Sequence, residues 1–218
     1  MKNKTSNKNR ILTALGIFAV LGLVFCFSGC SENKGKTTPF QVTFSSMTIN
    51  ESAITEFGNS LLRQIPELAI EGTAPLFTSI IMGEARNNPE AGIMSDPMMG
   101  MAGMMRMAAT VSTGEIDVFI ADMDNGARNA RSDMFLSIDK IFPGEDLSAL
   151  EDRLLSFDIM TTDAYEPKPT GEKTPVCGIK IIDNDQIRRI FGNQEVGVFI
   201  ISNTKNLELA KKVMRSFF

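Results

Sequence analysis

Gly114-Glu115-Ile116-Asp117-Val118-Phe119-Ile120-Ala121-Asp122, or GEIDVFIAD, lies near the middle of the chain and holds its clearest strand pattern, Ile116 to Ala121. Branched and aromatic side chains at successive positions suit a pleated backbone buried on both faces. Thr113-Gly114 breaks a helix in front of it, and Asp122 to Asn125 supply cap residues for a short helix behind it. A helix thus leads into a buried strand and a second helix follows, which is the local grammar of an α/β layer structure.

The same alternation extends in both directions. Upstream, Gln41 to Thr48 reads as a strand, and Asn50 to Ser52 cap a helix through Arg63 that Pro66 ends. Ile54, Phe57, Leu61, Leu62 and Ile65 recur at spacings of three and four, as one buried helix face requires. Leu76 to Met82 suits a buried strand, Gly83 to Pro97 a long loop, and a methionine-rich helix follows to about Ser112. Downstream, Leu147 to Leu155 reads as helix, Phe157 to Thr161 as extended chain and Asp163 to Pro175 as a loop with three prolines. Cys177 to Ile182 and Val196 to Ser202 read as strands, each followed by a helix, over Asp183 to Phe191 and Leu207 to Phe217. The expected fold class is α/β, with a mostly parallel sheet flanked by helices.

Composition removes several functions. The 218 residues include no His and no Trp, so histidine-based triads, HExxH zinc sites and histidine pH switches are excluded. No Walker A loop or GxGxxG is present. The 22 basic residues are outnumbered by 26 acidic ones, and no basic tract follows the first dozen residues, so nucleic acid is not an expected partner.

The start reads as an address. Lys2, Lys4, Lys8 and Arg10 precede a charge-free apolar run from Ile11 to Phe27, the form of a secretory signal. Phe27-Ser28-Gly29-Cys30 resembles the lipobox of bacterial lipoproteins, with Phe where Leu is commonest. That resemblance implies cleavage before Cys30, acylation of Cys30, and a lipid bilayer as a partner on the extracytoplasmic side of the cell membrane. The expected organisation is a signal peptide over 1–29, a lipidated cysteine and polar tether over 30–40, and a single α/β domain over 41–218. Losing the four leader bases takes the net charge from −4 to −8. Cys177 is then the one thiol left, so no intramolecular disulfide forms, and the domain relies on its core.

The GEIDVFIAD segment, with the helix before it, resembles that of extracellular solute-binding proteins with the type 2 periplasmic-binding fold. Phe135-Leu136-Ser137-Ile138-Asp139-Lys140-Ile141, Cys177-Gly178-Ile179, Val196 to Asn203 and the closing helix from Asn206 are similar in order and spacing. Such proteins have two lobes; this chain has room for one, or for two severely trimmed ones. The resemblance implies a non-catalytic solute- or peptide-binding module, with no cofactor, whose crevice lies at the carboxyl ends of the strands. Ser45 and Ser46, Asp122 and Asp124, and Ser202 and Asn203 are the candidate ligand-binding residues; helix N-capping alone wants the same residue types at the same places.

Half of the 14 methionines, among them Met98, Met101, Met104 and Met105, fall between residues 94 and 107. Three readings stay open: a core helix with gap-filling side chains, a docking surface for a protein partner in a structural or assembly lipoprotein, and a thioether Cu(I) site. No other metal site is expected, because Asp122-Met123-Asp124-Asn125-Gly126 lacks the offsets of a calcium loop. Cys177, at the start of an apolar strand, is expected to be buried and inert.

Overall fold

A computed structural model describes residues 38–81, 97–161 and 167–218, without the side chains of residues 97–101 and 104. Residues 1–37, with Cys30 and the leader, lie outside the described residues, as do Met94 and the side chains of Met98, Met101 and Met104. Thr38–Phe218 forms one compact unit. Its strands are β1 (Gln41–Ser46), β2 (Leu76–Ile81), β3 (Val118–Asp122), β4 (Leu154–Leu155), β5 (Asp158–Met160), β6 (Pro169–Lys173), β7 (Gly178–Ile181) and β8 (Val196–Ile200). Its helices are α1 (Glu51–Gln64), α2 (Pro97–Ser112), α3 (Met123–Ala130), α4 (Ile138–Ile141), α5 (Asp185–Phe191) and α6 (Leu207–Arg215).

Six strands form one mixed sheet in the order β2-β1-β3-β8-β7-β4. The β1–β2 and β1–β3 pairings are parallel, with Ser45 opposite both Ile80 and Ala121. The β3–β8, β7–β8 and β4–β7 pairings are antiparallel. The α/β class therefore holds, while the expectation of a mostly parallel sheet is corrected: only the β2-β1-β3 end is parallel. The apolar runs of β7 and β8 report burial on both faces, and burial does not encode direction.

Helices cover both faces. On one, Val42, Phe44, Ile120 and Val198 pack against Ile54, Phe57 and Leu61 of α1, Ile187 and Ile190 of α5, and Val213 of α6. On the other, Ile80, Phe119, Phe199 and Ile201 pack with Met107 of α2 and Ala130 of α3. The β1–β2 connection thus runs over one face and the β2–β3 connection over the other, which makes the β1/β3 boundary a topological switch point.

Local chemistry accounts for the elements. Asn50 caps α1, its Oδ1 accepting from Ala53 N at 3.3 Å, and Asn184 caps α5 by accepting from Ile187 N at 3.0 Å. Gly114 closes α2 at φ 66°, a left-handed conformation that glycine takes without a Cβ clash. Two expectations change. Residues 148–153 form a 3₁₀ turn rather than an α-helix, and part of the expected proline loop is strand β6, paired with β5 in a separate two-stranded sheet. All five residues of β6 are exposed, so no apolar alternation marks it.

Candidate functional site

The sequence candidates separate into two groups at opposite ends of the sheet. Ser45, Ser46, Asp122 and Asp124 lie at the carboxyl ends of β1 and β3 or just beyond. Ser202 and Asn203 follow β8, which runs antiparallel to β3, so they lie at the amino end of β3. The expectation of one crevice holding all six residues is therefore corrected.

At the carboxyl end, most of the candidates are occupied by structural work. Asp122 caps α3, its Oδ1 accepting from Asn125 N at 2.8 Å and its Oδ2 from Asn125 Nδ2 at 3.0 Å. Asp124 stands in the first turn of α3, where a carboxylate complements the helix dipole. Ser46 Oγ donates to Gln194 Oε1 at 2.7 Å, and Gln194 Nε2 donates to Thr48 Oγ1 at 3.0 Å, tying β1 to the start of β8. Ser45 faces the other way. It is fully buried, and its Oγ has no hydrogen-bond partner among the described residues.

At the other end lies a cavity of about 290 Å³. Its apolar wall comes from Ala130 at the end of α3, from Phe135 and Leu136, and from Pro175 and Cys177 ahead of β7. Backbone pairing fixes this wall: Leu136 N donates to Ile200 O at 2.9 Å and Ile138 N to Val176 O at 2.8 Å. The Phe135 ring stacks on Phe199, centroids 4.4 Å apart.

The polar lining is Asp133, Ser137, Lys140, Thr174 and Ser202. The Thr174 hydroxyl is occupied, accepting from Phe157 N at 3.0 Å. Ser137 precedes α4 without making a side-chain cap, and neither its hydroxyl nor that of Ser202 has a partner among the described residues. Lys140 and Asp133 are exposed at the rim, and neither belongs to an ion pair among the described residues. Cys177 is buried as expected, at 4% exposure, and burial raises its thiol to a pKa of about 11, so it is neutral near pH 7. Of the six candidates, Ser202 alone lines the cavity; Asn203 beside it donates to Val111 O at 2.6 Å and holds the end of α2.

Asp117 is the polar residue that sequence reading passed over. It is 1% exposed, and its carboxylate accepts from Gln41 N at 2.9 Å, from the Thr204 hydroxyl, and from Asn206 Nδ2 at 3.1 and 3.2 Å. Desolvation raises its pKa above the ordinary carboxylate value, against these hydrogen bonds, which lower it. Its partners come from the first residue of β1 and the turn before α6, so it ties three segments together. Its sequence signal was an acid inside the apolar run IDVFIA.

The methionine helix is mixed. Met107 is 2% exposed within the core, whereas Met105 is 64% exposed. No cluster of three or more His, Cys, Asp or Glu placed to hold a metal occurs among the described residues. No helix among them is long and apolar enough to cross a membrane. No known protein family, curated protein or solved structure matches this chain.

Proposed function

We propose that this chain is a membrane-anchored extracytoplasmic lipoprotein whose folded part is a non-catalytic binding module for a small solute. The observation that carries the binding reading is the cavity at the amino end of β3, where the hydroxyls of Ser137 and the exposed Ser202, without a partner among the described residues, stand beside an apolar wall. A concave apolar surface with a few convergent polar groups is what a small-molecule site needs. The parallel β2-β1-β3 half, with helices on both faces, supports the resemblance to one lobe of a periplasmic-binding fold. The anchoring half of the proposal rests on the basic start, the apolar run and Phe27-Ser28-Gly29-Cys30.

Two experiments test it. A thermal-shift panel of amino acids, peptides, sugars and Cu(I) is run on the full chain in mild detergent. A bound solute at about 100 times its dissociation constant stabilises by about 2.7 kcal/mol, a rise of several degrees. Silence across the panel contradicts solute binding. Metabolic labelling with palmitate tests the anchor: label on the wild type and none on Cys30→Ala is the expected result.

A second reading, a structural lipoprotein that docks a protein partner through α2, draws on the exposure of Met105. Pull-down that Met105→Ala abolishes, together with a silent solute panel, is the result that favours it.

A further inference from the structure

We propose that the outer edge of β2 is a self-association surface. A second copy of this chain adds its own β2 there, antiparallel, about a two-fold axis through Ser79. This pairing stands apart from the solute reading.

The edge is open. Leu76 to Ile81, whose apolar run reads as a buried strand, instead ends the six-stranded sheet, with β1 on one side and no strand among the described residues on the other. Leu76 N donates to Phe40 O at 2.8 Å. Alternation along a parallel ladder then turns the N–H and C=O of Leu76, Thr78 and Ile80 toward β1, and those of Phe77, Ser79 and Ile81 outward. The outward backbone groups have no partner among the described residues.

It also lacks protection. Sheet edges are commonly blunted by charge, proline or shortness, and an edge without these devices pairs with another strand. At the far side of the sheet β4 has only two residues. β2 has six, none of them charged, proline or glycine. Of the six large apolar side chains exposed among the described residues, three lie on this strand or beside it: Leu76 at 45%, Ile81 at 47% and Met47 at 51%. Met47 follows Ser46, the register partner of Ile81.

The strand is held ready from both faces. The Phe77 ring meets Phe57 of α1 edge-on, centroids 6.4 Å apart, and Ser79 Oγ donates to Glu51 Oε1 at 3.0 Å. On the other face Thr78 Oγ1 accepts from Gln41 Nε2 at 3.2 Å and lies 3.0 Å from Thr43 Oγ1. A strand already ordered loses little freedom on pairing.

Two features choose a second copy over a foreign strand. The first is self-complementarity. Antiparallel pairing about Ser79 sets Ser79 against Ser79 and Phe77 against Ile81 on both sides of the axis. The outward backbone groups then answer one another, and an aromatic ring faces a β-branched side chain. The second is charge. An uncharged edge gives a charged peptide nothing to select, and it lets two acidic chains meet without like charges inside the ladder. The net charge of −4, and Glu51 beside the axis, still make the copies repel at longer range, so association tightens as salt screens them.

The test is sedimentation equilibrium of the full chain in density-matched mild detergent. The expected result is a monomer–dimer equilibrium that tightens as salt rises from about 20 to about 500 mM. Ile81→Lys puts a charge into the ladder, and Ser79→Pro removes an outward N–H where an edge strand accepts proline. Each should weaken the dimer at least about tenfold with unchanged circular dichroism; should Ser79→Pro fail to fold, Ile81→Lys carries the test. The facing Ser79 Cα atoms would lie about 5.5 Å apart, within disulfide reach. Oxidised Ser79→Cys should therefore form a covalent dimer, and Ser148→Cys, exposed elsewhere, should not. A chain that stays monomeric at every salt concentration overturns the proposal and leaves the edge to a foreign strand. A dimer indifferent to both Ile81→Lys and Ser79→Pro overturns the assignment to β2. A dimer that salt weakens is held by opposite charges and overturns pairing through this uncharged edge.

Discussion

Asp117 shows how one side chain can carry a fold junction. A buried carboxylate without partners is expensive, and here four hydrogen bonds from two other segments offset part of the desolvation. Asp117→Asn keeps the shape but turns an amide NH₂ toward groups that are themselves donors. A loss of about 2 kcal/mol in the urea unfolding free energy is the expected outcome. The pH dependence has a definite sign. A folded-state pKa above the unfolded one means that the native protein holds this proton longer, so this carboxyl's contribution to stability falls as pH rises through its raised pKa. The advantage of wild type over Asp117→Asn should therefore shrink as pH climbs from the acid side toward neutrality; a growing advantage would contradict the account. Gly178 tests packing at the same scale. A Cβ there would stand 2.3 Å from the Phe199 ring, which is also in close contact with Gly126 and Gly197. Gly178→Ala should cost about 1–3 kcal/mol by overpacking, seen as a lower urea midpoint.

At the scale of elements, α2 is the instructive case. Its sequence offers methionines in almost every direction, and spacing alone leaves core and surface readings open. The structure divides them: Met107 belongs to the core beneath the sheet and Met105 faces solvent. Met107→Ala should lower stability by about 2–5 kcal/mol and Met105→Ala by less than about 0.5 kcal/mol in chemical denaturation. Equal effects would contradict this orientation of the helix. Strand and helix positions were largely legible, because Ile54, Phe57 and Leu61 keep the helical period and Val118 to Ala121 form a buried run. Strand direction was not. Val196 to Ile200 is buried on both faces like β1 and β3, so its sequence resembles theirs although it runs the opposite way. The exposed strand β6 was invisible for a different reason, since side chains that bury nothing leave no pattern.

At the scale of the whole molecule, the reversal of β8 redistributes the candidate site. Reading the sheet as mostly parallel placed Ser202 and Asn203 at the same strand ends as Asp122; the antiparallel half carries them to the other end. Ser, Asp and Asn at strand ends mark capping and binding alike, and here the capping and tying roles of Asp122, Asp124 and Ser46 account for most of the carboxyl end. The cavity depended on contacts that no local pattern announces. Ala130, Cys177 and Ser202 are far apart in sequence and meet because β8 pairs with both β3 and β7. The central claim is that this cavity is the solute site. The most direct test is amide chemical-shift mapping of the ¹⁵N-labelled full chain in detergent, titrated with the strongest ligand from the thermal panel. Perturbations concentrated at Asp133, Ser137, Lys140 and Ser202, with Ser46 and Asp122 unmoved, are the predicted result; perturbations centred on the carboxyl ends of β1 and β3 would contradict it.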